Sequence, residues 1–506
     1  LVFMIEGQRY VIIFKLQRCG WRKTVLYKKD IIRKVSMVMK KVFSKIIKVF
    51  IVLVIDKIVL LILENRAYFC IIKTSAMRKN IFIWIFPLFL CAACASKSTE
   101  GKSVFVCVKN GQFMQDNKPY YFIGTNFWYG AILGSEGIGG DRERLHDELN
   151  FLQKMGVDNV RVLVGADGER GRKNKVEPTL QTAPGIYNDT ILSGLDYLMA
   201  ELGKRKMTAV LYLNNSWEWS GGYSAYLEWT GHGKAVTPSV DGWAAYTRYV
   251  QQFIQSDSAK QLFANYVKDI ITRVNRYTKI KYVDDPAILS WQIGNEPRAF
   301  SDENKELFAS WMSEVAALIK SLDRNHLVSS GSEGEKGCEN DLRLYEEIHA
   351  NDNIDYLTIH IWPYNWKWIK QDSIAELLKA AKENTGSYVN KHLKLAQKYN
   401  KPMVIEEFGF PRDGFSFDKK VSTVNRNEYY NYIFDLVRQS HDEGGLLAGC
   451  NFWAWGGFAE QVGHIFWEKG DDYVGDPVQE EQGLNSVFAT DDATCRLIEN
   501  IIKKIK

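Results

Sequence analysis

Cysteine is scarce in this chain and poorly placed to hold a metal. Of the 506 residues, only Cys107, Cys338, Cys450 and Cys495 lie beyond position 94 as thiols. None of the four forms a Cys-x-x-Cys or Cys/His spacing, which argues against a zinc site. Four cysteines allow three disulfide pairings, and the expectation is that they are mostly buried, free and structural. A basic face is missing as well. The formal charge of +5 averages over unlike parts: residues 1–76 hold 16 Lys/Arg and 4 Asp/Glu, whereas the chain from position 95 holds 47 Lys/Arg against 56 Asp/Glu, a net of −9. An acidic body excludes nucleic acid as a partner, because the phosphate backbone needs clustered Lys and Arg. No cofactor signature, linker or second domain is visible. What is present is ordinary for a globular body: 46% hydrophobic and 25% charged residues, enough for a sizeable core.

The first hundred residues differ from the rest. Met77-Arg78-Lys79-Asn80 and the apolar run Ile81–Leu90 read as the charged and hydrophobic parts of an export signal. Leu90-Cys91-Ala92-Ala93-Cys94 follows and resembles a bacterial lipoprotein signal, with Cys94 as the acylated first residue of the mature chain. Acyl chains on Cys94 would hold the protein at a membrane surface; a plain secretory signal cleaved nearby is the alternative. The expectation is therefore an exported protein, lipid-anchored at the bacterial outer membrane or cell surface, otherwise secreted. Residues 1–76 begin with Leu and show no steady period. Val49–Leu63 is apolar but carries Asp56 and Lys57, each costing about 2.5–3.5 kcal/mol at mid-bilayer, which argues against a spanning helix. An upstream extension from a mis-assigned start, with Met77 as the true beginning, accounts for this stretch.

From about Val104 the chain alternates short apolar runs with amphipathic segments. The runs that read as buried strands are Tyr121–Asn126, Asn159–Val164, Thr208–Leu213, Ala287–Ile293, Leu327–Ser330, Tyr356–His360, Pro402–Ile405 and Gly449–Trp453. Leu145, Leu149, Leu152 and Met155 share a helix face before Gly156, and Leu307, Trp311, Val315 and Leu318 repeat the pattern. Further helices are expected near 192–203, 261–274, 389–399, 428–438 and 492–506. Eight strands alternating with helices predict a (β/α)₈ TIM barrel with long βα-loop insertions over residues 95–506. A doubly wound sheet is the alternative, but no Gly-rich phosphate loop follows the first strand. Asn110-Gly111 predicts a short hairpin ahead of the barrel.

Function in such a barrel collects at the C-terminal strand ends. Those ends read Gly124-Thr125-Asn126-Phe127-Trp128, Arg161, Asn214-Asn215-Ser216-Trp217, Gly294-Asn295-Glu296-Pro297-Arg298, Gly331-Ser332-Glu333-Gly334, His360-Ile361-Trp362-Pro363, Glu406-Glu407-Phe408-Gly409 and Asn451-Phe452-Trp453-Ala454-Trp455. They form a ring of carboxylates, amides and tryptophans. Two carboxylates facing each other across a cleft are what glycoside hydrolysis needs: one protonates the leaving oxygen, the other attacks or activates water. A flat indole can cover the C–H face of a pyranose, and 13 of the 15 Trp lie beyond position 94. Each residue alone has a plainer reading: a solvated loop glutamate, a core tryptophan, a buried hydrogen-bonded His360, a structural Arg161. Strand alternation allows only one of Glu406 and Glu407 to face the cleft, and period does not say which.

In order and strand position these motifs resemble glycoside hydrolase family five, in particular its endo-β-1,4-mannanase subfamily, over roughly Val104–Lys506. Gly475-Asp476-Pro477 and Glu481-Gln482-Gly483-Leu484-Asn485-Ser486-Val487-Phe488 look like that subfamily's closing segment. The resemblance implies Glu296 as acid/base and Glu407, directly before the aromatic-Gly pair, as nucleophile in a retaining double displacement. It implies Asn295 on the sugar 2-hydroxyl, Arg161 and His360 orienting the nucleophile, Trp453 under the sugar, and Trp128, Arg298, Glu333 and Trp362 as further substrate contacts. Trp362 stands where many members place a tyrosine bonded to the nucleophile; an indole N–H donates but cannot accept. A β-mannan-type polysaccharide is thus the expected substrate, with no cofactor, no metal and a monomeric state. A β-1,4-glucanase with the same machinery and a non-catalytic surface glycan-binding barrel are the rivals.

Overall fold

The computed structural model describes residues 2–5, 8–11, 105–169, 171, 174–460 and 464–506. It divides into two units, Leu1–Ser98 and Thr99–Lys506. In the first, Val2–Ile5 pairs antiparallel with Gln8–Val11. The apolar run, the export signal and Cys94 lie outside the described residues. No described helix is long and apolar enough to cross a membrane.

The second unit is the expected barrel. Its strands are β1 (Phe122–Asn126), β2 (Asn159–Leu163), β3 (Thr208–Tyr212), β4 (Ile288–Gln292), β5 (Leu327–Ser329), β6 (Leu357–Ile361), β7 (Met403–Phe408) and β8 (Leu447–Phe452). They form one parallel sheet that runs from β5 back through β1 and on by β8 and β7 to β6. Between β5 and β6 the gap is bridged by backbone bonds, Asp355 N to Val328 O at 2.9 Å and His360 N to Glu333 O at 3.1 Å, and by side chains: Asp355 Oδ2 accepts from Val328 N at 2.6 Å, and Thr358 Oγ1 donates to Ser332 O at 3.0 Å. Each strand is buried along its length because helices cover the sheet outside and side chains fill it inside.

Eight helices follow the strands in turn: α1 (Arg142–Met155), α2 (Asp189–Lys204), α3 (Asp257–Ile271), α4 (Lys305–Leu322), α5 (Leu342–Ala350), α6 (Ile374–Tyr399), α7 (Val424–Glu443) and α8 (Asp492–Ile505). Asp141 caps α1 by accepting from Arg144 N, and Gly156 ends it at φ 90°, a left-handed value that suits glycine. The Asn110-Gly111 turn has positive φ at both positions, as a tight hairpin requires. Its strands, Cys107–Lys109 and Gln112–Gln115, gain a third partner in Lys118–Pro119. Phe113 and Val106 of this hairpin pack with Phe122, Val210, Leu289, Leu327, Tyr356 and Val404, closing the bottom of the barrel. Function is thereby confined to the opposite end. Cys338, Cys450 and Cys495 are buried and free, while Cys107 is free but exposed.

Candidate active site

Glu407 belongs to β7, and Glu296 lies four residues past β4 on the turn that opens the β4–α4 loop. That turn is bracketed by its neighbours: Asn295 N donates to Asn214 O at 2.8 Å, and Glu296 N to Gly331 O at 3.0 Å. Glu296 has φ 49°, in the left-handed region that side chains with a Cβ rarely occupy. A cost of roughly 1–3 kcal/mol for such a conformation is borne where the surroundings over-determine it.

Arg161 on β2 is the hub beneath the pair. Its guanidinium donates to Glu407 Oε1 at 2.5 Å, Asn126 Oδ1 at 3.0 Å, Gln292 Oε1 at 2.8 Å and Asn295 Oδ1 at 2.8 Å. It also lies over the Tyr212 ring at 4.6 Å. The side chain is fully buried and its donors are spent on protein, so Arg161 touches no substrate itself and orients Glu407, the role the resemblance implies. Asn126 and Gln292, to which no role was assigned from sequence, complete the network. Both are buried strand residues whose polarity inside a barrel was the available signal.

His360 on β6 joins the carboxyls. Its Nδ1 lies 2.8 Å from Glu296 Oε1 and 3.3 Å from Glu407 Oε2. Burial, with Arg161 second, holds the imidazole well below its usual range, so it is neutral. Both partners of Nδ1 are carboxyl oxygens, which places the single proton there. Glu296 is gripped from the other side by Trp217, whose Nε1 donates to Oε2 at 2.6 Å. Trp217 was visible in the sequence only as one residue of a strand-end cluster.

Burial raises both carboxyls above the usual range, and the Glu296 charge raises Glu407 further while Arg161 lowers both. Two buried acids this close hold one proton between them more easily than none. One atom each of Glu296, His360 and Glu407 lies within 4.8 Å of the others, a spacing that would also suit a metal ion. Two guanidinium groups already offset this charge, Arg161 at Glu407 and Arg298 beside Glu296, which lessens any attraction for a cation.

Three further expectations are revised. Glu406 and Glu407 do not point to opposite faces. The β6–β7 register shifts after Ile359–Ile405, so that His360 pairs with Glu407 and Glu406 becomes the extra residue of a bulge. Glu406 is therefore also inside the barrel, accepting from Gln292 Nε2 at 2.5 Å and Tyr356 Oη at 3.1 Å. The Trp362 indole acts on Glu296, whose carboxyl it lowers as Trp217 does. Trp128 is a wall residue: only 1% exposed, with Nε1 on Gly475 O at 2.9 Å and its ring against Tyr129, Trp219 and Tyr473, it has no face free for a sugar.

The other expected residues cluster around the pair. Asn295 Nδ2 makes a long 3.3 Å bond to Asn215 Oδ1. Arg298 and Glu333 form an ion pair with each other, and Arg298 lies 5.3 Å from the Trp217 ring centroid. Trp453 N donates to Phe408 O at 2.9 Å, which keeps Trp453 beside the end of β7, and its ring meets Trp362 edge-on at 5.8 Å. Its buried Nε1 has no partner among the described residues.

Known proteins resemble this chain over most of its length. Mannan endo-1,4-beta-mannosidase 1 of Oryza sativa subsp. japonica is 29% identical over 373 residues, covering 71% of this chain and 80% of its own. Mannan endo-1,4-beta-mannosidase 1 of Solanum lycopersicum is 28% identical over 392 residues, covering 75% and 89%. The crystal structure of the glycoside hydrolase family 5 mannosidase from Rhizomucor miehei superposes with a TM-score of 0.73 at 30% identity, covering 80% of this chain and 98% of that one. A family model described as GH family 5 beta-mannosidase-like matches residues 103–506. A glycosidase with paired carboxylates at the mouth of a (β/α)₈ barrel, this chain belongs to the GH family 5 beta-mannosidase-like family.

Proposed function

We propose that the protein is a retaining endo-β-1,4-mannanase, hydrolysing internal β-1,4-mannosidic bonds of mannan, glucomannan or galactomannan. The observation that carries the mechanism is the closeness of the two carboxyls, within 4.8 Å at their nearest ligand atoms. Retaining enzymes hold the pair about 5–5.5 Å apart, whereas inverting ones leave about 6.5–9.5 Å for a water molecule. Glu296 gives its proton to the glycosidic oxygen while Glu407 bonds to the anomeric carbon and the leaving chain departs. Water then attacks that carbon, giving a proton to Glu296 and releasing Glu407. Arg161 holds Glu407 in line and favours its charge, and neutral His360 sets the spacing of the pair. Asn295 faces the sugar 2-hydroxyl, its long bond to Asn215 being easily exchanged. Trp453 lies under the sugar, and Arg298 and Glu333 bind the neighbouring unit. The names of the relatives support mannan as substrate.

Release of reducing ends from mannan, glucomannan and carboxymethyl cellulose by wild type and Glu407→Ala tests this. Wild type should act on the mannans and the variant should not. Activity on cellulose alone, or equal release by both proteins, would overturn the proposal. A fall in viscosity well ahead of mannose release marks internal cleavage. The arrangement of Arg78-Lys79, the apolar run and Cys94 supports export and acylation, leaving the enzyme lipid-anchored at the bacterial outer membrane or cell surface. Loss of fatty-acid labelling in Cys94→Ser tests the anchor.

A further inference from the structure

Of the thirteen described tryptophans six are buried and six half-buried, but Trp243 is 61% exposed. It is the first residue of the helix Trp243–Val250 in the long β3–α3 insertion. Its ring meets that of Trp217 edge-on at 5.9 Å, and that of Tyr246 edge-on at 5.9 Å. Tyr246 is itself fixed, stacked on Trp217 and donating its hydroxyl to Ser216 O. Trp243 thus begins where the grip on Glu296 ends, in one run of contacts from Glu296 through Trp217. Other exposed aromatics rest elsewhere, Tyr364 on Phe415 and Phe458 on Phe151.

An exposed indole offers flat apolar area that the C–H face of a sugar can cover, and most of the Trp243 surface is open to solvent. The face is already ordered, so covering it costs little conformational entropy. The insertion sits beside β4 and the acid/base, not beside β7 and the nucleophile. A group reaching Trp243 from the catalytic centre must therefore lie on the leaving-group side of the bond cut. From these relations we infer that Trp243 is a stacking platform for a distal sugar of the leaving chain, so that the protein selects for polymers extended on that side. The inference rests on the mannanase proposal and adds to it a specificity-determining residue in an insertion.

The test compares wild type, Trp243→Phe and Trp243→Ala on mannotriose, mannohexaose and mannan. In the alanine variant the ratio of kcat/KM on mannohexaose to that on mannotriose should fall about tenfold, carried by KM, with phenylalanine in between. Thermal unfolding should stay within about a degree or two, since the side chain is mostly exposed. An unchanged ratio, or equal losses on both oligosaccharides, would overturn the platform. If wild type proves inactive on mannan but cleaves another β-linked glycan, the mannanase proposal fails; the same ratio measured on that glycan still decides Trp243.

Discussion

The indole Nε1 of Trp217 donates to Oε2 of Glu296 at 2.6 Å. With His360 Nδ1 at 2.8 Å from Oε1, both oxygens of Glu296 are held by neighbouring side chains. A donor aimed at a carboxylate favours its charged form and so lowers its pKa.

Replacing Trp217 by Phe removes that donor and should raise the Glu296 pKa. In a bell-shaped profile the acid/base must be protonated in the free enzyme, so the basic limb of kcat/KM should move to higher pH. A profile with an unmoved basic limb would show that the contact is packing alone.

Removing Arg161 leaves Glu407 buried without its counter-charge. Arg161→Met should cost about 3–5 kcal/mol of stability, as breaking buried pairs does. Arg161→Lys keeps the charge but loses the fork that also binds Asn126, Gln292 and Asn295. Its activity should fall on the order of hundredfold, because small misplacements of reacting groups cost that much. The acidic limb should rise with it.

Glu296→Ala should be worst on mannan and milder on an activated aryl mannoside, whose leaving group needs no proton. Equal losses on the two substrates would remove the acid role.

The bulge makes a contrast between adjacent residues measurable. Glu407→Gln should abolish turnover. Glu406→Gln retains the size and one acceptor oxygen toward Gln292 and Tyr356, so its cost should appear mainly in thermal unfolding, about 1–3 kcal/mol. Comparable kcat losses would make Glu406 part of the chemistry.

Two buried histidines outside the pair, His349 and His392, set an acid sensitivity. Burial lowers His349 to about 3 and His392 to about 4. Each is neutral when folded and protonates near 6.5 when unfolded. Unfolded chain therefore binds more protons as pH falls below about 6.5, and stability drops until the folded values are reached. His392 Nε2 accepts from Glu335 N at 3.0 Å, a bond a protonated ring cannot make. Between pH 7 and 5, His392→Gln should lose less stability than wild type; parallel losses would place the sensitivity elsewhere.

Barrel strands were legible because a sheet covered on both faces demands unbroken apolar runs, and all eight lie within two or three residues of the runs Tyr121–Asn126 through Gly449–Trp453. Helix starts were less legible: α6 begins at Ile374, some fifteen residues before the expected 389–399, and its buried stripe already runs through Ile374, Leu378 and Ala381. Site membership was legible where residues sit at strand ends, as Asn295, Glu296, Arg298, Glu333, His360, Glu407 and Trp453 do. Trp128 shares that position and is nonetheless wall, since neighbouring loops decide which indoles are covered.

Sequence by itself determined the alternation of strand and helix, the acidic body, and a pair of strand-end glutamates on β4 and β7, all of which follow from local pattern and composition. Tertiary structure decided how those groups are used. A one-residue bulge turned both Glu406 and Glu407 inward, Arg161 became a buried hub, and Trp217 reached Glu296. These outcomes depend on register and on side chains brought together from positions up to 246 residues apart, which no local period encodes.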